Sequence, residues 1–404
     1  SAPSANRVSR SAPWQLAVGS RPLRPDAGMN GGDNSAIKEQ KLDVCAGGAW
    51  HYVKKSVDAL LLQNYLNLLM LCTPFAAMAY YGGGSDGVVF TLSLLAIAPF
   101  AERLSYVTEQ LALYTNETLG GLLNATFGNV TELIVSLFAL RAGMLRIVQV
   151  SLLGSILSNM LLVLGCAFLF GGLRYREQSF NKTACSLNSG LLVLSVMSLL
   201  FPMLLQVTHS ELDPDSTVTV SRAVSVMLLF TYVCYLVFQL HTHRHVFEDS
   251  KAEPGDGAVD VDEDEDEDEE AVLGLWGSIF WLAVITVFIS FLSEFMVDAL
   301  QGASENWGVP DLFLGTIVIP IVGNAAEHAA AIIFAVKNKM ELSLGIAVGS
   351  STQIALFVVP LCICIAWATD QQLSLDFHPF ETGTLLLTVM LVAFLIQACS
   401  SPPP

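Results

Sequence analysis

The chain has 404 residues, 53% of them hydrophobic and only 14% charged, with a net charge of −18. A soluble domain carries about 25% charged residues, so a soluble fold is excluded, and the acidic balance disfavours a nucleic-acid partner. The eight cysteines mostly lie inside apolar runs without metal-ligand spacing, which excludes a disulfide scaffold.

Residues 1–55 are rich in Ser, Pro, Gly and Arg and lack apolar periodicity, so they read as a disordered tail or a targeting segment. Ten apolar runs of transmembrane length follow, at roughly 59–80, 87–106, 119–140, 147–170, 185–207, 218–240, 272–296, 309–336, 343–369 and 380–398. Lipid offers no partner to backbone amides. Runs this long and continuous are therefore helices, since barrel strands would be half the length and alternate. The fold class is an all-α polytopic membrane protein of about ten transmembrane helices. Its parts are a tail (1–55), a leading helix (56–85), a first half (86–240), an acidic loop (241–271) and a second half (272–398). Within the loop, Asp260–Glu270 reads DVDEDEDEDEE, which repels itself and stays solvated. It is a linker or a cation-collecting regulatory element.

Lys and Arg near the span ends set the orientation. Lys54, Lys55, Arg174, Arg176, Lys182, Arg244, Lys251, Lys337 and Lys339 fall on one side, against Arg141, Arg146 and Arg222 on the other. This puts the N-terminus and the acidic loop in the cytosol.

Residues 119–163 repeat as 314–358 at a constant offset of 195. Gly120 falls on Gly315, Gly128-Asn129 on Gly323-Asn324, Glu132 on Glu327, and Gly154-Ser155 on Gly349-Ser350. The copies sit on spans 3–4 and 8–9, an odd five spans apart, so equivalent helices cross in opposite directions. That is the inverted repeat of secondary transporters, whose substrate site lies at the repeat interface.

Glu132 and Glu327 lie near the middle of their spans. A charge there costs roughly 2.5–3.5 kcal/mol, and the sequence offers no cation deep in any span. Each carboxylate must then be protonated, bind a cation, or do both in turn. Asn129 and Asn324 share their helix faces, Gly128 and Gly323 loosen the helix, and Pro320 removes an amide donor. Ser155, Ser158, Ser350, Thr352 and Gln353 add oxygens from spans 4 and 9. Such all-oxygen coordination suits Ca²⁺ and does not exclude Mn²⁺. Burial and mutual repulsion disfavour two charges, and a bound divalent ion favours them, so protons and metal compete for one pair of groups. If only a loaded site can cross, antiport follows.

Glu102 and Glu294 precede the repeats at similar distances. They line the ion path or relay protons, or they sit near span ends with Glu102 paired to Arg103. His328 tunes Glu327 or senses pH, or is a neutral hydrogen-bonded core histidine. The histidines of His241–His245 are a weak metal candidate beside plain solvation at a span end.

GNVTELIVSLFAL and GNAAEHAAAIIFAVKNKMELSLGIAVGSSTQIALFVVP closely resemble the two repeat motifs of the cation/proton exchanger (CAX) family, within the Ca²⁺/cation antiporter superfamily. The resemblance covers about residues 55–398, including the acidic stretch and the HTHRHVFE junction before it. Val130 stands where alanine is more usual. The resemblance implies exchange of cytosolic Ca²⁺, and sometimes Mn²⁺ or other divalents, for lumenal H⁺ across a vacuolar (tonoplast) or similar acidic-organelle membrane. It also implies that Glu132 and Glu327 are the central cation ligands. The family pattern is one leading helix and two sets of five. The second set here has four spans, so a last, eleventh helix is expected to be missing.

The expected partners are the lipid membrane, divalent cations and protons. Homo-oligomerisation and regulators of the tail or the loop stay open, and no cofactor is expected. A Na⁺-driven Ca²⁺ exchanger is the alternative, and a divalent-cation channel the next. Neither HExxH nor a nucleophile–base pattern is present, so the chain does not read as an enzyme.

Overall fold

The computed structural model describes residues 56–57, 60, 65–115, 117–208, 215–243 and 273–399. The N-terminal tail, the acidic stretch Asp260–Glu270, and Arg244 and His245 lie outside the described residues. No strand occurs among the described residues, as expected where backbone amides must be satisfied within each segment. The chain divides into two units at Leu68/Leu69. In the first, Asn67 Nδ2 donates to the Leu60 carbonyl at 2.8 Å.

The helices of the second unit are α1 (Cys72–Tyr81), α2 (Asp86–Ala112), α3 (Glu117–Phe127), α4 (Val130–Arg141), α5 (Leu145–Arg174), α6 (Thr183–Val207), α7 (Ser216–Thr242), α8 (Leu275–Trp307), α9 (Asp311–Gly323), α10 (Ala325–Val336), α11 (Met340–Ala368) and α12 (Pro379–Ala398). Seven of these are single helices long and apolar enough to cross a membrane. The pairs α3–α4 and α9–α10 add two more if each is one span. Nine of the ten expected spans are thus matched. Of the first, a 3₁₀ turn at Tyr65–Leu71 and α1 are described, and the rest of that run lies outside the described residues.

Two helices run further than the apolar runs suggested. α2 extends to Ala112 and α8 to Trp307, and the two pack along their length, with Phe100 stacked on Phe288 at 5.1 Å. The extension carries polar residues well inside the helices. Arg103 is buried in α2, its side chain 4% exposed, which corrects the expectation that no cation lies deep in a span. Hydropathy ended that run at residue 106 because Glu102 and Arg103 lower it, yet the two neutralise each other as an ion pair.

The repeat is visible in the backbone. Spans 3 and 8 break at equivalent residues, bending 44° between α3 and α4 and 57° between α9 and α10. Asn129 (φ −112°, ψ 20°) and Asn324 (φ −99°, ψ 16°) leave helical geometry in nearly the same way. α5 and α11 also match, each carrying a π-helical turn just past the repeated Gly-Ser pair, at Ser158–Val163 and Ile354–Val358. Such turns often mark functional stretches of a helix.

Candidate cation site

The two breaks follow from local sequence. In Gly128-Asn129-Val-Thr-Glu132 and Gly323-Asn324-Ala-Ala-Glu327 a glycine loosens the chain, an Asn follows at the N-cap position, and a Glu stands three residues on. Each glutamate therefore occupies the first turn of a new helix, α4 or α10. The positive end of a half-helix dipole there stabilises a carboxylate by about 0.3–2 kcal/mol. The preceding half-helices, α3 and α9, end at the same points, and the negative ends of their dipoles favour a cation there. Neither asparagine caps its own helix, because its side chain is turned to the other repeat.

Asn129, 2% exposed, donates from Nδ2 to Gln353 Oε1 of α11 at 2.6 Å. Its Oδ1 accepts from Ser350 Oγ at 3.1 Å. Asn324 lies beside Glu132, and Ser350 beside Glu327. Glu327 lies near enough to Glu132 to be influenced by its charge. His328, buried on α10, brings Nε2 to 3.4 Å from Ser158 Oγ of α5. Each repeat thus completes the other's half of one polar cluster.

The cluster leaves two carboxylate oxygens and one amide nitrogen unused. Glu132 Oε2, Glu327 Oε2 and Asn324 Nδ2 are buried with no hydrogen-bond partner among the described residues, and an unpaired buried polar group costs about 1–3 kcal/mol. Beside Glu132 is a cavity of about 20 Å³, lined among others by Thr131, Ser136, Ser151, Ser155, Gly323 and Asn324. That is room for one water-sized particle, the scale of a dehydrated ion. No group of three or more His, Cys, Asp or Glu forms among the described residues. A cation here would rely on two carboxylates and neutral oxygens.

The cluster therefore gathers Glu132, Glu327, Asn129, Asn324, Ser350, Gln353, Ser158 and His328, with Ser155, Gly128 and Gly323 at its walls and hinges. Thr352 is turned away. Its hydroxyl donates to Val348 O at 2.8 Å and to Asn188 O of α6 at 3.3 Å. Glu102 pairs with Arg103 inside α2. Glu294 of α8 is more than a third exposed and faces Arg141 Nη1 at 3.9 Å. The sequence reading missed Asn159, which is 1% exposed and donates from Nδ2 to Ser350 Oγ at 3.2 Å. Its only signal was an amide inside an apolar run. The offset of 195 pairs it with Ile354, so the repeat did not flag it.

Two inverted half-helices, each presenting a carboxylate at its own break to one polar cluster, define a cation exchanger of the inverted-repeat type. The chain matches the family described as sodium/calcium exchanger protein over residues 86–241 and 277–401, and it belongs to that family. It is 50% identical over 374 residues to vacuolar cation/proton exchanger 2 of Oryza sativa subsp. japonica, covering 92% of this chain and 84% of that one. It is also 50% identical over 352 residues to vacuolar cation/proton exchanger 2 of Arabidopsis thaliana, covering 86% and 79%. Among solved structures, the Ca²⁺/H⁺ antiporter YfkE aligns with a TM-score of 0.66 at 32% identity, over 82% of this chain and 91% of that one. The H⁺/Ca²⁺ exchanger CAX aligns with a TM-score of 0.60, over 85% and 82%; at 15% identity this is a likeness of fold.

Proposed function

We propose that the chain is an antiporter exchanging cytosolic Ca²⁺ for lumenal H⁺ across a vacuolar membrane, with Glu132 and Glu327 as the exchanging pair. The observation that carries the reading is the convergence of two repeat-related glutamates, each at the start of a half-helix and each with a buried, unpartnered oxygen. The names of the relatives support the substrates and the membrane.

The chemistry follows from electrostatics. Two bare carboxylates at this depth cost roughly 5–7 kcal/mol together, taking 2.5–3.5 for each. At 1.4 kcal/mol per decade, the empty ionised pair is populated about 10³–10⁵-fold less than a neutralised one. Protons or one divalent cation relieve the same penalty, so the site crosses loaded with one or the other. Ca²⁺ leaves where protons are plentiful, which drives accumulation in an acidic lumen. Asn129, Asn324, Ser155, Ser350 and Gln353 supply neutral oxygens around the metal. Ser158 and His328 border the proton side of the exchange, while Glu102 and Glu294 lie further along the route. The flexible coordination shell fits Ca²⁺, and Mn²⁺ as a second cargo. The tail (1–55), before the leading helix, and the acidic loop (241–271), between the two halves, are cytosolic segments.

In proteoliposomes with an acidic interior, the wild type should take up ⁴⁵Ca²⁺ in the absence of Na⁺. Glu132→Gln and Glu327→Gln should each reduce that uptake at least a hundredfold. Uptake that needs a Na⁺ gradient, or that survives in both variants, overturns the assignment.

A further inference from the structure

Glu327 is not among the residues that line the cavity beside Glu132. A divalent ion seated there would meet one carboxylate rather than two, so the position shared by the pair lies outside the cavity. The cavity presents a mixed set of groups instead. Glu132 Oε2 accepts, Asn324 Nδ2 donates and Ser136 Oγ does both, and none of the three has a hydrogen-bond partner among the described residues. An amide nitrogen repels a cation. This lining fits a small neutral molecule that donates and accepts at once.

Size points the same way. The cavity of about 20 Å³ exceeds the ~10–15 Å³ that a single water needs, and a buried water requires about two to four polar partners. Ser136 stands one turn past Glu132 on the same face of α4. It is 1% exposed, so its hydroxyl has no access to bulk solvent. Beside it lies the Cys362 sulfur of α11, at most a weak acceptor for the Ser136 proton. The Ser136 oxygen is left for a guest in the cavity.

We propose that the cavity is a water site whose occupant completes the shell of the ion held by Glu132 and Glu327, with Ser136 as the residue that keeps it there. The four bonding positions of one water are then all used. It donates to Glu132 Oε2 and Ser136 Oγ, accepts from Asn324 Nδ2, and turns its second lone pair to the metal. The inference deepens the antiport reading and rests on it for the identity of the ion. Ca²⁺ takes about six to eight oxygens, waters among them, whereas an octahedral set of about six suits Mn²⁺. Ser136 therefore favours Ca²⁺ over Mn²⁺.

The test uses the full chain and compares thermal stabilisation by Ca²⁺ and by Mn²⁺, which reads both affinities. Ser136→Val removes the hydroxyl and fills the cavity. It should weaken Ca²⁺ binding about tenfold and Mn²⁺ binding no more than about twofold, because only the larger shell loses a ligand. A general disturbance of the fold would weaken both alike. A second measurement needs no variant. X-ray radiolysis in H₂¹⁸O makes hydroxyl radicals from bound water, which label the side chains they touch. Leu152 and Leu153 are each 2% exposed, and Leu152 lines the cavity while Leu153 does not. In the Ca²⁺-loaded wild type, Leu152 should be labelled several-fold faster than Leu153. Equal labelling of the two leucines, or equal losses of Ca²⁺ and Mn²⁺ affinity in Ser136→Val, overturns the water site. A wild type without ΔpH-driven ⁴⁵Ca²⁺ uptake in proteoliposomes overturns the antiport reading instead, and labelling still judges the water.

Discussion

Ser350 is the point where the two repeats are tied together, and its removal has a calculable effect. The hydroxyl donates to Asn129 Oδ1 at 3.1 Å, accepts from Asn159 Nδ2 at 3.2 Å and lies beside Glu327. Ser350→Ala leaves an amide oxygen on Asn129 and an amide proton on Asn159 each one partner short, in surroundings where both side chains are no more than 2% exposed. A buried polar group left unpaired costs about 1–3 kcal/mol. Asn129 keeps its 2.6 Å bond to Gln353, so the two losses together should stay near 2–3 kcal/mol rather than reach the full sum. If this loss falls mainly on the loaded state, Ca²⁺ affinity drops about 30–150-fold at 1.4 kcal/mol per decade. The assay is Ca²⁺-dependent thermal stabilisation in detergent, where the shift in unfolding temperature reads the dissociation constant. It is run on Ser350→Ala, Asn129→Ala and the double variant. Residues sharing a hydrogen bond should show a coupling of about 0.5–3 kcal/mol. Additive effects, or an affinity for Ser350→Ala within twofold of wild type, would refute a shared network as the basis of cation binding.

Two further outcomes follow from groups outside that network. Arg103→Ala strands the Glu102 carboxylate inside α2 and should destabilise the protein by about 3–5 kcal/mol, whereas Glu102→Gln/Arg103→Met, which removes both charges, should lie closer to wild type by thermal unfolding. In the loop between α11 and α12, burial pushes the Asp376 carboxyl up from its ordinary value of 3.8, opposed in part by His378, Arg146 and Gln206. A carboxyl that holds its proton more tightly when folded stabilises the fold as pH falls toward 3.8, and that contribution is lost as pH rises through the raised value. Unfolding temperatures measured from pH 7 to pH 4 should therefore rise more for wild type than for Asp376→Asn. An equal rise would remove Asp376 as the cause.

The same loop shows how tightly one side of the molecule is bound together. Arg146 of α5 pairs with Glu381 of α12 and accepts orientation from Gln149, to whose Oε1 it donates at 3.0 Å. Gln149 in turn donates to the Ser374 carbonyl at 2.8 Å, and Leu375 N donates to Ser221 Oγ of α7 at 2.9 Å. These bonds anchor the loop to α5, α7 and α12. They lie on the side where α9 is pressed against α5.

The amino-acid sequence by itself determined a helical membrane protein and most of its spans, because in lipid a long apolar run has a single way to satisfy its amides. It also determined the pair Glu132 and Glu327 and the asparagines before them, since polar residues recurring at a fixed offset inside apolar helices are costly and so conspicuous. Even the helix breaks are signalled locally, by the repeated Gly-Asn pair and the glutamate three residues on. The partners across the repeats were not. That Asn129 bonds Gln353 and Ser350 rather than capping its own helix, that Asn159 joins them while Thr352 turns to α6, and that Arg103 is buried against Glu102 all depend on which helix faces are apposed. The two repeats, alike in plan, are also packed differently: Gly154 of α5 is pressed against α9, while its counterpart Gly349 of α11 meets no atom of the described residues. Only the tertiary structure decided which is closely packed, because a symmetric sequence plan assigns equal weight to both.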